Sequence, residues 1–197
     1  MTLGYPSLVG GGTGYLLPIV KMEFGARSTG QPSEQRPIVC DIQEFVRDVA
    51  FPTCDSRVMR AERTFWEKAT AMHVYCLAGH LGGDSHHSRH WHDVVRLDGS
   101  GVADQAIANR QLALDVAAHK SYFFKEKAAD ESTIDYVEAV SGGLQLVPPD
   151  PWIDLLRGDY AEMLESGMLL DDAMDFDQIM TRCHEIEAKA NAAASKD

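Results

Sequence analysis

The stretch RAERTFWEKATAMHVYCLAG, residues 60–79, decides how the chain folds. Ala61, Phe65, Ala69, Met72 and Cys76 recur at steps of three and four, which stacks them on one face of a helix, and Gly79 offers a left-handed C-terminal stop. Lys68, three residues after Phe65, falls at the edge of that stripe. The helical character continues downstream. Residues 88–98 read as a second helix with Ser88 as N-cap, Trp91, Val94 and Val95 on its buried face, and Arg89, Asp93 and Arg96 on the other. Residues 102–125, rich in Ala and Leu, read as one long helix ending in Tyr122, Phe123 and Phe124. After GGLQLVPPDP, a turn by its Gly and Pro content, helices are expected over about 151–166 and 175–193.

Upstream the pattern changes. YLLPIVKMEFGA, residues 15–26, alternates Ile19, Lys21, Glu23 and Gly25 against Val20, Met22 and Phe24, so half of this strand is expected in the core. STGQPSEQRP, 28–37, reads as a turn-rich loop, and IVCDI and FVRDVAF, within 38–59, allow one or two short strands or a strand and a helical turn. No internal repeat or heptad series interrupts this order. The expected class is α+β, mostly α, with a short β-sheet over 1–60 followed by a helical bundle over 61–197.

Composition narrows the function. The first residues carry no basic n-region, and no window reaches the roughly 18 apolar residues of a membrane span, so no membrane partner and a cytoplasmic location are expected. Cys40, Cys54, Cys76 and Cys183 form no C-x-x-C pair, which points to reduced thiols rather than a zinc ribbon or a disulfide framework. The net charge of −12 is uneven: from Asp130 to Glu187 fifteen acidic residues face only Arg157 and Arg182, a surface that repels a polyanion. Between Arg57 and Arg96 the balance reverses, and any phosphate is expected there.

Several constellations in that basic span carry chemistry. His86 and His90 have the H-x-x-x-H spacing of a zinc pair, but Ser88 starts the helix and leaves His86 and His87 in the loop before it, without the H-E-x-x-H base. His92 and Asp93 form an adjacent dyad of the kind found in HD-type metal phosphohydrolases, with His73 and Asp115 available to complete it; the plain alternative pairs Asp93 with Arg89 and Arg96 on one helix face. GGGTG, 10–14, lacks the Lys-Ser/Thr ending of a phosphate loop and reads better as a flexible turn. Arg63, Lys68, Arg89 and Arg96 would converge on one cleft if the first two helices pack antiparallel, and such a cleft suits a triphosphate. A third reading needs no catalysis: a helical interaction module whose apolar N-terminal strand, with an uncovered edge, docks on another chain or forms a homo-oligomer.

VKMEFGARS (20–28), RTFWEKATAMH (63–73), SRHWHDVVRL (88–97), AAHKSYFF (117–124) and DYAEM (159–163), in that order, resemble the AbiEii/AbiGii-type nucleotidyltransferase toxins, members of the DNA polymerase β-like superfamily. The resemblance runs from Tyr15 to Asn191 and implies that 1–60 is part of a nucleotidyltransferase α/β core and 61–197 a C-terminal helical domain. It further implies an NTP substrate with Mg²⁺ or another divalent cation, tRNA as an acceptor in some members, a cognate antitoxin, and a role in phage defence. Carried over by position, Lys68 matches the lysine that holds the triphosphate and Asp93 the aspartate on the next helix, while Glu23 matches an acidic, Mg²⁺-binding position of the core. The family's R-x-S-x-D-x-D segment after a G-G-S/T turn has no counterpart: GGGTG is not followed by D-x-D, and Asp175 and Asp177 stand in a late acidic helix. The chain is therefore expected to correspond to the C-terminal part of such an enzyme, either truncated or dependent for nucleotidyl transfer on a partner such as a separately encoded catalytic half.

Overall fold

In the computed structural model, which describes residues 1–4, 6, 17, 19–27, 29–79, 86–169 and 173–195, the chain is organised around one helix, α1 (Ala61–Ala78). The stripe Phe65, Ala69, Met72 and Cys76 is buried, but so are Arg63, Trp66, Thr70, His73 and Val74, so α1 is covered on most sides. It is surrounded by α2 (Arg89–Gly99), α3 (Val102–Ala108) and α4 (Arg110–Phe123). Trp66 fixes one of these contacts, its indole N–H donating to the Ala106 carbonyl of α3 at 3.0 Å. Gly79 ends α1 with φ of 67°, and a Cβ there would stand 3.2 Å from the Ala129 Cβ, so both backbone and space demand glycine.

The long third helix expected over 102–125 is two helices, because Asn109 (φ −89°, ψ 77°) leaves helical geometry and its side chain accepts from the Leu112 N–H, starting α4 afresh. Next come a short turn α5 (Tyr136–Glu138) and one π-type turn over Ala139–Gly143. The last two helices, α6 (Trp152–Glu165) and α7 (Phe176–Ala194), lie where the sequence places them; Asp175 and Gln178 close a reciprocal capping box at the start of α7.

GGLQLVPPDP proves to be more than a turn. Leu144 and Leu146 are buried in an extended segment whose backbone finds no ladder, and side chains from three helices satisfy it instead. Asn191 of α7 accepts from the Leu144 N–H (2.9 Å) and donates to its carbonyl (3.0 Å). His73 Nδ1 accepts from the Gln145 N–H (3.1 Å), Glu187 from the Leu146 N–H (2.6 Å), and the Trp91 indole donates to the Leu146 carbonyl (2.7 Å). The segment ties α1, α2 and α7 together.

The N-terminal strands differ more from expectation. The strand read over 15–26 is reduced to β2 (Ile19–Lys21), paired with β1 (Thr2–Gly4), and no half of it is in the core: Val20 and Phe24 are 51% and 83% exposed. The loop read over 28–37 contains β3 (Ser33–Ile38), which pairs antiparallel with β4 (Cys54–Met59), with one 3-10 turn at Asp41–Glu44 between them. SEQRPI shows no apolar–polar alternation and is exposed along nearly its whole length, which hid the strand. Among the described residues the buried hydrophobic side chains all lie between Phe65 and Ala190. GGGTG, His80 and Asp84 lie outside the described residues.

Candidate functional site

Helices α1 and α2 face each other along their polar edges. Tyr75 near the end of α1 meets His87 and His90 at ring distances of 4.7 and 6.0 Å, and Lys68, two turns earlier, meets Asp93. Partners descend in number along one helix as they rise along the other, so the pair is antiparallel, as the converging-cleft reading requires. Lys68 Nζ lies 2.7 Å from Asp93 Oδ2 and 3.5 Å from His90 Nδ1. Burial, with the Lys68 and Arg89 charges behind it, pushes the His90 imidazole down to about 4. His90 is therefore neutral at pH 7 and presents a lone pair to the lysine. The Lys68 and Asp93 side chains keep 23% and 41% of their exposure, so a ligand arriving from solvent reaches both.

α2 is held at its start by another helix. Ser88 stands at the N-cap position, yet its side chain makes no capping bond; Asp159 of α6 accepts from the His86 N–H at 2.6 Å and the Ser88 N–H at 2.7 Å. Burial would raise the Asp159 carboxyl, but these backbone donors outweigh it and hold the group below its ordinary value. A carboxylate thus neutralises the positive end of α2 where Arg89 adds a further positive charge. The motif DYAEM contained this aspartate, but no local spacing reveals a cap that comes from 71 residues away. His90 was equally hidden, since a histidine run gives no reason to prefer one member.

Arg89 and Arg96 are exposed on α2. Arg63 turns away from Lys68: its side chain is 4% exposed, pairs with Glu67 at 2.9 Å and donates to the Gln31 carbonyl at 2.7 Å. Lys120 of α4 completes that cluster, donating to the Glu67 backbone carbonyl at 2.9 Å. Five helical positions separate Arg63 from Lys68, about 140° around the axis, which is why one helix serves two clusters. Glu23 is exposed and pairs with Lys21 at 2.9 Å; it is not brought to Asp93. The Lys21 hydrogen bond and charge hold its carboxyl low, and the Arg89 charge adds to this.

For the HD-type arrangement the geometry is unfavourable. His73 is buried, is pushed down to about 4 by burial, and spends Nδ1 on the Gln145 N–H. Asp115 accepts from the Gln111 side chain on α4 at 2.8 Å. Among the described residues no three His, Cys, Asp or Glu side chains converge on one point. The same fact bears on a divalent ion: Asp93 beside a lysine does not fit a two-metal centre built by the described residues.

The fold is of the mostly helical α+β class, and its α1–α2 edge presents a solvent-accessible Lys68–Asp93 pair beside the exposed Arg89 and Arg96. The particular family follows from comparison with known families. Residues 1–182 match the model described as "Nucleotidyl transferase AbiEii toxin, Type IV TA system", and the chain belongs to this family of nucleotidyltransferase toxins. No curated protein and no solved structure matches the chain significantly. Membership implies a cognate antitoxin and a nucleotide substrate, and the family's chemistry uses a divalent metal with the NTP. Among the described residues no helix is long and apolar enough to cross a membrane.

Proposed function

We propose that this chain is the nucleotide-holding part of an AbiEii-type toxin, with Lys68 binding the triphosphate of an NTP and Arg89 and Arg96 flanking it on α2. The observation that carries this reading is the Lys68–Asp93 pair. Two other ion-pair clusters that join helices, Arg63–Glu67–Lys120 and Arg182–Asp98–Lys189, each bury a member to 6% exposure or less. Arg157–Asp177, between α6 and α7, is open to solvent but stands in the acidic C-terminal third, whereas the open Lys68–Asp93 pair stands beside the exposed Arg89 and Arg96 of α2. Asp93 holds the ammonium in place until a polyphosphate competes for it, and the neutral His90 adds no charge of its own. Transfer to an RNA end, tRNA among the acceptors, rests on carboxylates that Asp93 and Glu23 do not supply together, and a partner chain is the proposed source.

The reading is tested by titrating ATP, GTP, CTP and UTP separately onto the protein in EDTA and following heat. Lys68→Ala is expected to weaken the preferred nucleotide at least tenfold. Asp93→Asn in the same buffer is expected to strengthen it, because the competing carboxylate is gone. Equal affinities for wild type and Lys68→Ala would overturn the assignment. Transfer is followed separately, as α-labelled NTP entering total tRNA with Mg²⁺.

A further inference from the structure

We propose that the outer edge of β4 is a self-pairing edge, through which two copies of this chain join β3–β4 hairpins into one four-stranded antiparallel sheet. The hairpin stands alone: the described residues give it no third strand, and nearly all its side chains are exposed or half-exposed. A two-stranded hairpin without a facing layer is marginal, and a third strand is what it lacks.

The register says which edge is open. The Arg60 N–H donates to the Pro32 carbonyl at 2.9 Å, directly continuing the ladder Ser33↔Met59 to Ile38↔Cys54. Hydrogen-bonded pairs alternate with non-bonded ones, so Glu34, Arg36 and Ile38 bond inward to Val58, Ser56 and Cys54. Ser33, Gln35 and Pro37 on β3, and Asp55, Arg57 and Met59 on β4, turn their backbone groups outward. Pro37 has no N–H to offer, which interrupts the β3 edge. The β4 edge keeps its full set of donors and acceptors.

Charge selects the occupant and its alignment. Asp55 and Arg57 are exposed, of opposite sign, and both outward-bonding. A two-fold axis through Ser56 sets Asp55 of each copy against Arg57 of the other, in hydrogen-bonded positions and on one face, so the unlike pair occurs twice. Moving the axis to Arg57 would set guanidinium against guanidinium. Edge charges that ordinarily keep strands apart here complement a second copy in one register. The contact is small, and the dimer is accordingly weak.

Sedimentation equilibrium of the full chain from about 1 μM to about 1 mM covers the range in which such a contact associates. A reversible dimer is expected, weakened at least tenfold by Arg57→Asp and restored by the double swap Asp55→Arg/Arg57→Asp. A wild type that stays monomeric throughout, or a double swap no better than the single one, would overturn the proposal. The register has its own readout. Ser56 faces its copy in a non-bonded position, where Cα atoms approach closely enough for a disulfide. With Cys40 and Cys54 replaced by Ser and Cys76 and Cys183 buried, Ser56→Cys is expected to form a covalent dimer under glutathione, and Gln35→Cys, on the far strand, is not. Equal cross-linking by both variants would sink the register. Helical circular dichroism reports that each variant keeps its fold.

Discussion

The two parts of this chain hold similar apolar residues and put them to opposite uses. From α1 onward, Phe65, Trp66, Met72 and Trp91 are fully buried, each helix covering its neighbour's stripe. Before α1, Leu3, Val20, Phe24, Ile42 and Phe45 are all more than half exposed, because two separate hairpins have no layer opposite them. An alternating strand specifies a face, but only a second layer makes that face a core. The stability of the chain therefore resides in the helices, while the N-terminal part is available for partners.

The contrast is broken most directly by cutting one aromatic from each part. Trp66→Ala should cost about 3–5 kcal/mol, and Phe24→Ala less than about 0.5 kcal/mol, both read from urea midpoints. Comparable losses would mean that the hairpin face is packed after all.

Acid sharpens the same contrast. His73 holds its Nδ1 toward the Gln145 N–H and titrates at about 4 in the folded chain against an ordinary 6.5. As pH falls below 6.5 the unfolded chain takes up a proton that the folded one refuses, so stability falls until pH reaches about 4. The lost increment is about 3 kcal/mol, and His90 acts in the same direction. His73→Asn keeps an acceptor without the titration. Its stability should therefore decline less between pH 7 and pH 4 than that of the wild type, and parallel declines would refute the assignment.

Smaller effects are expected nearer the candidate site. Asp159→Ala leaves the His86 and Ser88 N–H groups without their acceptor and should cost about 1–3 kcal/mol, with faster amide exchange at the start of α2. Lys68→Ala removes a half-exposed pair and should cost less than about 1 kcal/mol while nucleotide affinity drops at least tenfold. A large stability loss would make Lys68 a structural residue instead.

Much of this was legible in the chain itself. The three-and-four spacing of Phe65, Ala69, Met72 and Cys76, the stop at Gly79 and the helices after Pro151 follow from local preferences, and local preferences are written in consecutive residues. The ordered motifs around Lys68 and Asp93 also sufficed to indicate the family. Two kinds of feature escaped. β3 was hidden because its side chains are polar on both faces, and the break at Asn109 because a single cap residue hardly disturbs an Ala-rich run.

Sequence alone thus determined the helical class, the succession of helices and the motifs that place the chain in its family. Only the tertiary structure decided that Lys68 meets Asp93 and His90 while Arg63 is withdrawn to Glu67, and that Asp159 caps α2. It likewise decided that Leu144 to Leu146 borrow their hydrogen bonds from His73, Trp91, Glu187 and Asn191. The reason is physical. A buried backbone group or charge must be satisfied by whatever packing brings near, and those partners lie tens of residues away, beyond the reach of any local pattern.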